Sequence, residues 1–92
     1  MSRSSIQVSF DPKARAAYVR LSHSVVAETV EAAHGLLFDL DHHGNVVGIE
    51  ILTAGTLQLL LQPASPEMKP YRLPNIDRSQ IEKIERMFEM SA

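Results

Sequence analysis

The sequence predicts an α+β protein in which an antiparallel sheet of about five strands carries a C-terminal helix on one face. Apolar and polar residues alternate in short segments as far as Leu52, which is typical of half-buried strands. The links between these segments are too short for a parallel crossover. After Asp77 the apolar residues recur at helical spacing instead. An up-and-down meander covered by this helix is the simplest topology.

The first two segments are predicted to form a hairpin. The first strand begins at Ile6 and ends near Asp11, where the Asp11-Pro12 pair favours a type I turn. The second strand extends over residues 16–22, with Tyr18 and Arg20 on one face. Its other face carries three apolar residues, which are Ala17, Val19 and Leu21. The polar residues 22–24 are expected to reverse the chain into a third strand over residues 25–33.

The segment Leu36–Leu52 has the strongest hairpin pattern in the chain. Two apolar runs flank a polar turn that contains Gly44 and Asn45, either of which tolerates a positive φ. In the first arm, alternation puts Leu36, Phe38 and Leu40 on one face. In the second arm, it puts Val47, Ile49 and Ile51 on one face.

Beyond this hairpin the pattern becomes less regular. Residues 56–62 fit either a sixth strand or a short helix, and the four prolines in residues 63–74 indicate a loop. A final helix is predicted after Asp77, an N-cap residue that forms a capping box with Gln80. We therefore expect a single domain over residues 1–92. It divides into a meander (6–52), a proline-rich connection (53–75) and a helix (76–90).

A family resemblance rests on three segments of the chain. They are Phe10-Asp11-Pro12, Ala17–Ser22, and the hairpin with Phe38-Asp39-Leu40-Asp41 and Gly44–Leu52. Over residues 6–52 the chain resembles the small bacterial proteins grouped as domain of unknown function 2283. The resemblance departs from the family pattern at Asp41-His42-His43, where acidic residues are more usual. It implies a β-meander without assigned catalytic residues and, by analogy only, an antitoxin-like regulatory role.

Composition narrows the functional classes. The net charge is −2 and the nine basic residues are scattered, so direct nucleic-acid binding is not expected. Cysteine is absent, which excludes disulfides and thiolate chemistry. The longest aliphatic run, Leu59–Leu61, is far shorter than a membrane span. We expect a cytoplasmic protein that does not contact the membrane.

Two groups of residues are candidate sites. The first is an acidic strand face with Asp39 and Glu50, to which Arg20 and Tyr18 are added as candidate ligand-binding residues. Paired carboxylates support acid–base chemistry or cation binding. A solvated strand face with Arg20 as a cross-strand partner is the favoured explanation, because exposed strand faces carry charges for solubility. The second group contains the candidate metal ligands Asp41, His42 and His43. Adjacent turn residues seldom point at one ion, so plain turn residues are the alternative.

Two functional hypotheses follow. The sequence contains no nucleophile elbow and no phosphate-binding loop. We therefore expect a non-enzymatic binding or regulatory protein that has no cofactor and acts by contacting another protein. The alternative is a small-molecule-binding or metal-binding activity at Asp39, Asp41, Glu50 and the turn histidines. A homodimer is also expected, because residues 46–52 read as an unprotected edge strand and one helix covers only part of a five-strand sheet.

Overall fold

The computed structural model describes residues 6–91, and residues 1–5 and 92 of the predicted domain lie outside the described residues. The sheet contains β1 (Gln7–Asp11), β2 (Ala16–Arg20), β3 (Glu28–Ala33), β4 (Leu36–Leu40) and β5 (Val46–Ile51). A 3-10 helix spans Ala54–Leu61, and the helix α1 spans Arg78–Met90. All strand pairs in the sheet are antiparallel. The predicted fold class, an antiparallel sheet with a C-terminal helix, is confirmed.

The strand order is β1-β2-β5-β4-β3. The last three strands form a meander, and the β1–β2 hairpin adds beside β5. The expectation that residues 46–52 form an edge strand is therefore wrong, because β5 is hydrogen-bonded on both sides. The edges of the sheet are β1 and β3.

The loop between β2 and β3 explains this order. Residues 22–24 do not form a tight reversal; the loop of residues 21–27 crosses one end of the sheet, past β5 and β4. Three strand spacings are about 14 Å, a distance that seven extended residues bridge easily. The third strand consequently begins at Glu28 rather than at Val25, whose side chain is 77% exposed.

The predicted inward faces are confirmed with one correction. Leu36, Phe38, Ile49 and Ile51 are all fully buried. Between Asp39 and Leu40 the register with β5 shifts, so that Leu40 pairs with Val46. Such a bulge turns the following residue to the other face. Val46 therefore joins the core cluster, whereas Val47 is buried outside it.

Several segments together cover the apolar face of the sheet. Residues 54–61 form a 3-10 helix, which decides between the strand and the helix predicted there, and contribute Leu57 and Leu60 to the core. The proline-rich connection adds Met68 and Tyr71, whose ring packs edge-on against Phe38 at 5.0 Å. The apolar face is therefore better covered than one helix alone would achieve. The sequence also predicts a homodimer because one helix would leave part of the sheet uncovered, and this reason does not hold.

The helix α1 begins as predicted. The Gln80 side-chain oxygen accepts a hydrogen bond from the Asp77 backbone N–H at 2.9 Å, which is one arm of a capping box. The helix buries Ile81, Ile84 and Phe88 against the sheet layer. None of the helices in residues 6–91 is both long enough and apolar enough to cross a membrane.

Candidate functional site

The face of the sheet opposite the core carries most of the predicted site residues. We call it the polar face, and its members alternate along each strand with the residues that point towards the core side of the sheet. Asp39 pairs with Gly48, and Glu50 pairs with both Leu37 and Tyr18, so Asp39 and Glu50 are diagonal neighbours on this face. The polar face consists of Gln7, Ser9, Asp11, Ala16, Tyr18, Arg20, Thr29, Glu31, Leu37, Asp39, Gly48 and Glu50.

A hydrogen-bonded row crosses this face over four neighbouring strands. The Tyr18 hydroxyl donates to Asp39 Oδ2 at 2.6 Å, and the Thr29 hydroxyl donates to Asp39 Oδ1 at 2.6 Å. Both carboxylate oxygens of Asp39 therefore accept hydrogen bonds from side chains. The row fixes Tyr18 and Asp39 in place, and hydrogen bonds to a charged acceptor are stronger than neutral ones.

Gly48 makes this row possible. It lies on β5, between the strands of Tyr18 and Asp39, and a Cβ atom there would stand 2.7 Å from Tyr18 Cζ and 3.1 Å from Asp39 Oδ2. Only glycine leaves room for the tyrosine ring to cross β5. The alternation pattern of the sequence predicts no role for Gly48 or Thr29. A glycine inside an apolar strand is a signal of close approach that would have identified Gly48.

The environment of Tyr18 makes its phenol a weak acid. Burial disfavours the phenolate, and the hydrogen bond to Asp39 holds the proton further, so that the pKa of Tyr18 is raised to about 12. The phenol therefore stays protonated at neutral pH and donates its hydrogen bond to Asp39.

Arg20 and Glu50 complete the predicted group. The Arg20 guanidinium lies 5.7 Å from the centroid of the Tyr18 ring, within the range of a cation–π contact. Glu50 is exposed. A depression of about 170 Å³ lies beside Glu50 and Tyr18, which is smaller than typical small-molecule pockets. The structure thus brings all four candidates to one face, where they form a surface rather than an enclosed pocket.

The candidate metal ligands lie in the β4–β5 turn. Gly44 takes the positive φ of this turn, at 83°. Asp41 Oδ1 accepts hydrogen bonds from the backbone N–H groups of His43 and Asn45, both at 2.9 Å, and Oδ2 accepts one from the Asn45 side chain. These bonds, chiefly the one from the Asn45 N–H, hold the pKa of Asp41 below its usual value. The carboxylate therefore stabilises the turn.

The histidines do not join Asp41 in a ligand set. The rings of His42 and His43 are exposed and lie 4.9 Å apart, edge to face. Among residues 6–91, no three His, Cys, Asp or Glu side chains are grouped so that they could hold a metal ion. An open groove of about 350 Å³ lies beside the turn with Asp41 on its wall, but both oxygens of that carboxylate already accept hydrogen bonds.

Comparison with known protein families assigns the chain to a family. Residues 7–54 match the family described as protein of unknown function, DUF2283. Because this match covers more than half of the chain, the protein belongs to the DUF2283 family, as the resemblance over residues 6–52 predicts. The matched segment contains all five strands, and α1 lies outside it. Neither the curated proteins nor the solved structures yield a significant match.

Proposed function

We propose that the protein is a non-enzymatic binding protein whose polar face docks on a partner protein with a basic surface. One observation carries the proposal. The polar face presents four carboxylates, from Asp11, Glu31, Asp39 and Glu50, but only one guanidinium, from Arg20. Its net charge of −3 favours a partner surface rich in lysine and arginine. Nucleic acid and anionic membranes do not complement such a face.

The hydrogen-bonded row supports a binding role for this face. Tyr18 and Asp39 are held by the bonds at 2.6 Å, so docking orders few additional side chains. Preorganisation of this kind improves affinity because less conformational entropy is lost on binding. Tyrosine and arginine are also enriched at interface centres, and here Tyr18 and Arg20 lie beside each other on β2.

The alternative activity, small-molecule or metal binding by Asp39, Asp41, Glu50 and the turn histidines, has less support. The oxygens of both aspartates are engaged in hydrogen bonds within the protein. Asp41 also lies in the turn beyond β4 rather than beside Glu50. We also propose that the protein is bacterial and that it is located in the cytoplasm. The bacterial source rests on the family resemblance, and the cytoplasmic location stays a prediction from composition.

Charge reversal on the polar face tests the proposal. The tagged wild-type protein, Glu50→Lys and Glu82→Lys are used to capture proteins from cells of the source organism. Glu82 is exposed on α1, on the other side of the sheet, so its variant has the same charge change without altering the polar face. A basic protein that the wild type and Glu82→Lys capture is expected to be lost with Glu50→Lys.

The captured protein is then purified and its affinity measured by calorimetry. We expect about tenfold or greater weakening by Glu50→Lys, and weaker binding of the wild type at high salt. Three outcomes would overturn the proposal. They are equal affinity of Glu50→Lys and wild type, equal loss with Glu82→Lys, and the absence of any salt-sensitive basic partner.

A further inference from the structure

The two edges of the sheet differ in their protection against pairing with another chain. β3 carries Glu28 and Glu31, and its register with β4 shifts between Glu31 and Ala33. Charges and bulges of this kind oppose edge-to-edge association. β1 has neither feature in its central part: its register with β2 is unbroken over Gln7–Asp11, and its one charge, at Asp11, lies at the strand end.

An apolar surface adjoins the β1 edge on the helix side of the sheet. We call it the edge patch; it consists of Phe10, Pro12, Met87 and Met90. Met90 is 85% exposed, while Phe10 packs edge-on against Phe88 at 5.1 Å and so joins β1 to α1. The patch therefore continues the buried core layer outward to the strand edge. An exposed apolar surface that continues a core layer beside an open edge is a favourable place for association.

The sequence of β1 is self-complementary. When two copies pair antiparallel with Ser9 opposite Ser9, all five residues of β1 are paired. Gln7 then faces Asp11 of the second copy, and Val8 faces Phe10. Shifting this pairing by a single position would turn one copy's core face to the opposite side of the joint sheet. In the Ser9-centred register no like charges oppose each other, and an amide faces a carboxylate.

We infer that β1 and the edge patch form a two-fold interface with a second copy of this chain, which joins the two sheets into one of ten strands. The backbone groups of β1 that pair with no other strand within residues 6–91 supply the hydrogen bonds. The register sets Phe10 of each edge patch opposite Val8 of the other copy. Both helices lie on the same side of the joint sheet, so Met87 and Met90 of each copy are buried against the core side of β1 of the other copy. Methionine side chains adapt readily to such a contact.

This interface replaces the β5 edge on which the predicted homodimer rested. It does not depend on the proposed binding role of the polar face, because Glu50 lies on the central strand β5. The two inferences are consequently tested by different residues. A second copy is the favoured occupant because Asp11 and Gln7 complement each other in the paired register, whereas β3 would bring four carboxylates together.

Sedimentation velocity at micromolar concentration tests the interface. The wild type is expected to sediment as a dimer of the 10.2 kDa chain. Ser9→Lys puts two lysines opposite each other at the axis, so about tenfold or greater weakening of the dimer is expected. Ser9 is exposed, and circular dichroism verifies that the variant is folded. The matched control is Glu31→Lys, an exposed position on the polar face of the other edge strand.

Two further variants distinguish this interface from a general charge effect. Ser9→Glu alone is expected to be monomeric, but an equimolar mixture with Ser9→Lys is expected to restore dimers, because opposite charges then meet at the axis. Met90→Lys is expected to weaken the wild-type dimer through the edge patch. Three results would overturn the inference. They are a wild type that is monomeric, a dimer that Glu31→Lys dissociates but Ser9→Lys does not, and a mixture of Ser9→Glu and Ser9→Lys that fails to associate.

Discussion

The ring of Tyr18 crosses over Gly48 to reach Asp39, with its hydroxyl 2.6 Å from the carboxylate. Tyr18 lies on β2 and Asp39 on β4, one on each side of β5, and the missing side chain of Gly48 is the space that the ring occupies. This relationship ties three neighbouring strands together on the side of the sheet that lacks a hydrophobic core. It also orders the surface that we propose for partner binding.

Gly48→Ala is expected to destabilise the protein by about 1–3 kcal/mol, because the new methyl group collides with the Tyr18 ring. In a Tyr18→Ala background the same change is expected to cost little, since the ring is gone and alanine loses less backbone entropy than glycine. Urea unfolding of the two single variants and the double variant measures this coupling. An equal cost in both backgrounds would contradict the proposed contact.

Tyr18→Phe removes the hydroxyl that donates to Asp39 and is expected to cost about 1–2 kcal/mol at neutral pH. The pKa of Tyr18 is raised to about 12 in the folded protein, from an ordinary value of 10.0. The folded state therefore holds this proton more tightly than the unfolded chain. The resulting stability is complete below pH 10 and is lost as the pH rises towards 12.

Thermal melts from neutral pH to alkaline pH measure this effect. The difference in stability between the wild type and Tyr18→Phe is expected to shrink as the pH rises through this range. A difference that stays constant up to pH 12 would show that the phenol does not titrate in the predicted way.

The fold class could be predicted from the sequence because it depends on local patterns. Alternation identified the inward residues of β2, β4 and β5 except at Val46 and Val47, and capping residues identified the start of α1. Strand order depends instead on which strands pair across the sheet. No local pattern distinguishes a loop of residues 21–27 that reverses tightly from one that crosses two strands, so β5 was misplaced at the edge. The bulge in β5, where Val47 is left unpaired between Val46 and Gly48, likewise arises from pairing.

In the β4–β5 turn, substitution of Asp41 is expected to affect stability more than substitution of the neighbouring histidines. Asp41→Ala removes three hydrogen bonds to the turn and is expected to lower the melting temperature clearly. His42→Ala combined with His43→Ala is expected to change it by about 2 °C or less, because both rings are exposed. If these residues only form the turn, added zinc leaves the melting temperatures of wild type and double variant unchanged. A zinc-dependent rise that disappears in the double variant would contradict this interpretation.

The stability of the protein at low pH gives a second test of the role of Asp41. Its pKa is lowered from the usual 3.8, mainly by the hydrogen bond from the Asn45 N–H. The stability that it contributes is therefore complete above pH 3.8 and lost as the pH falls through the lower value. The gap in melting temperature between the wild type and Asp41→Ala is expected to close in strong acid. A gap that is unchanged there would mean that the charge of Asp41 does not matter.

The two faces of β5 are expected to respond very differently to truncation. Ile49 is fully buried, so Ile49→Ala is expected to cost about 2–5 kcal/mol. Glu50, the next residue, is exposed on the polar face, and Glu50→Ala is expected to change stability by about 0.5 kcal/mol or less. Urea unfolding measures both. Similar losses for the two variants would contradict the assignment of faces.

The site was predictable in part. Hairpin geometry placed Asp39 and Glu50 on one face, and the structure agrees. The bond from Tyr18 to Asp39 was beyond sequence reasoning because it requires β2 to lie beside β5, the pairing that local patterns do not reveal. Asp41 follows the alternation of Asp39, but β4 ends at Leu40. Its side chain therefore belongs to the turn, which separates it from the acidic face.

Site-specific photo-cross-linking is the most direct test of the proposed binding face. A photoreactive amino acid replaces Leu37, which lies between Glu31 and Glu50 in the register of the polar face; the control replaces Glu82 on α1. After irradiation with the captured partner, mass spectrometry identifies the joined peptides. The proposal predicts cross-links from position 37 to a lysine-rich or arginine-rich surface of the partner and none from position 82. Cross-links from position 82 without any from position 37 would contradict it.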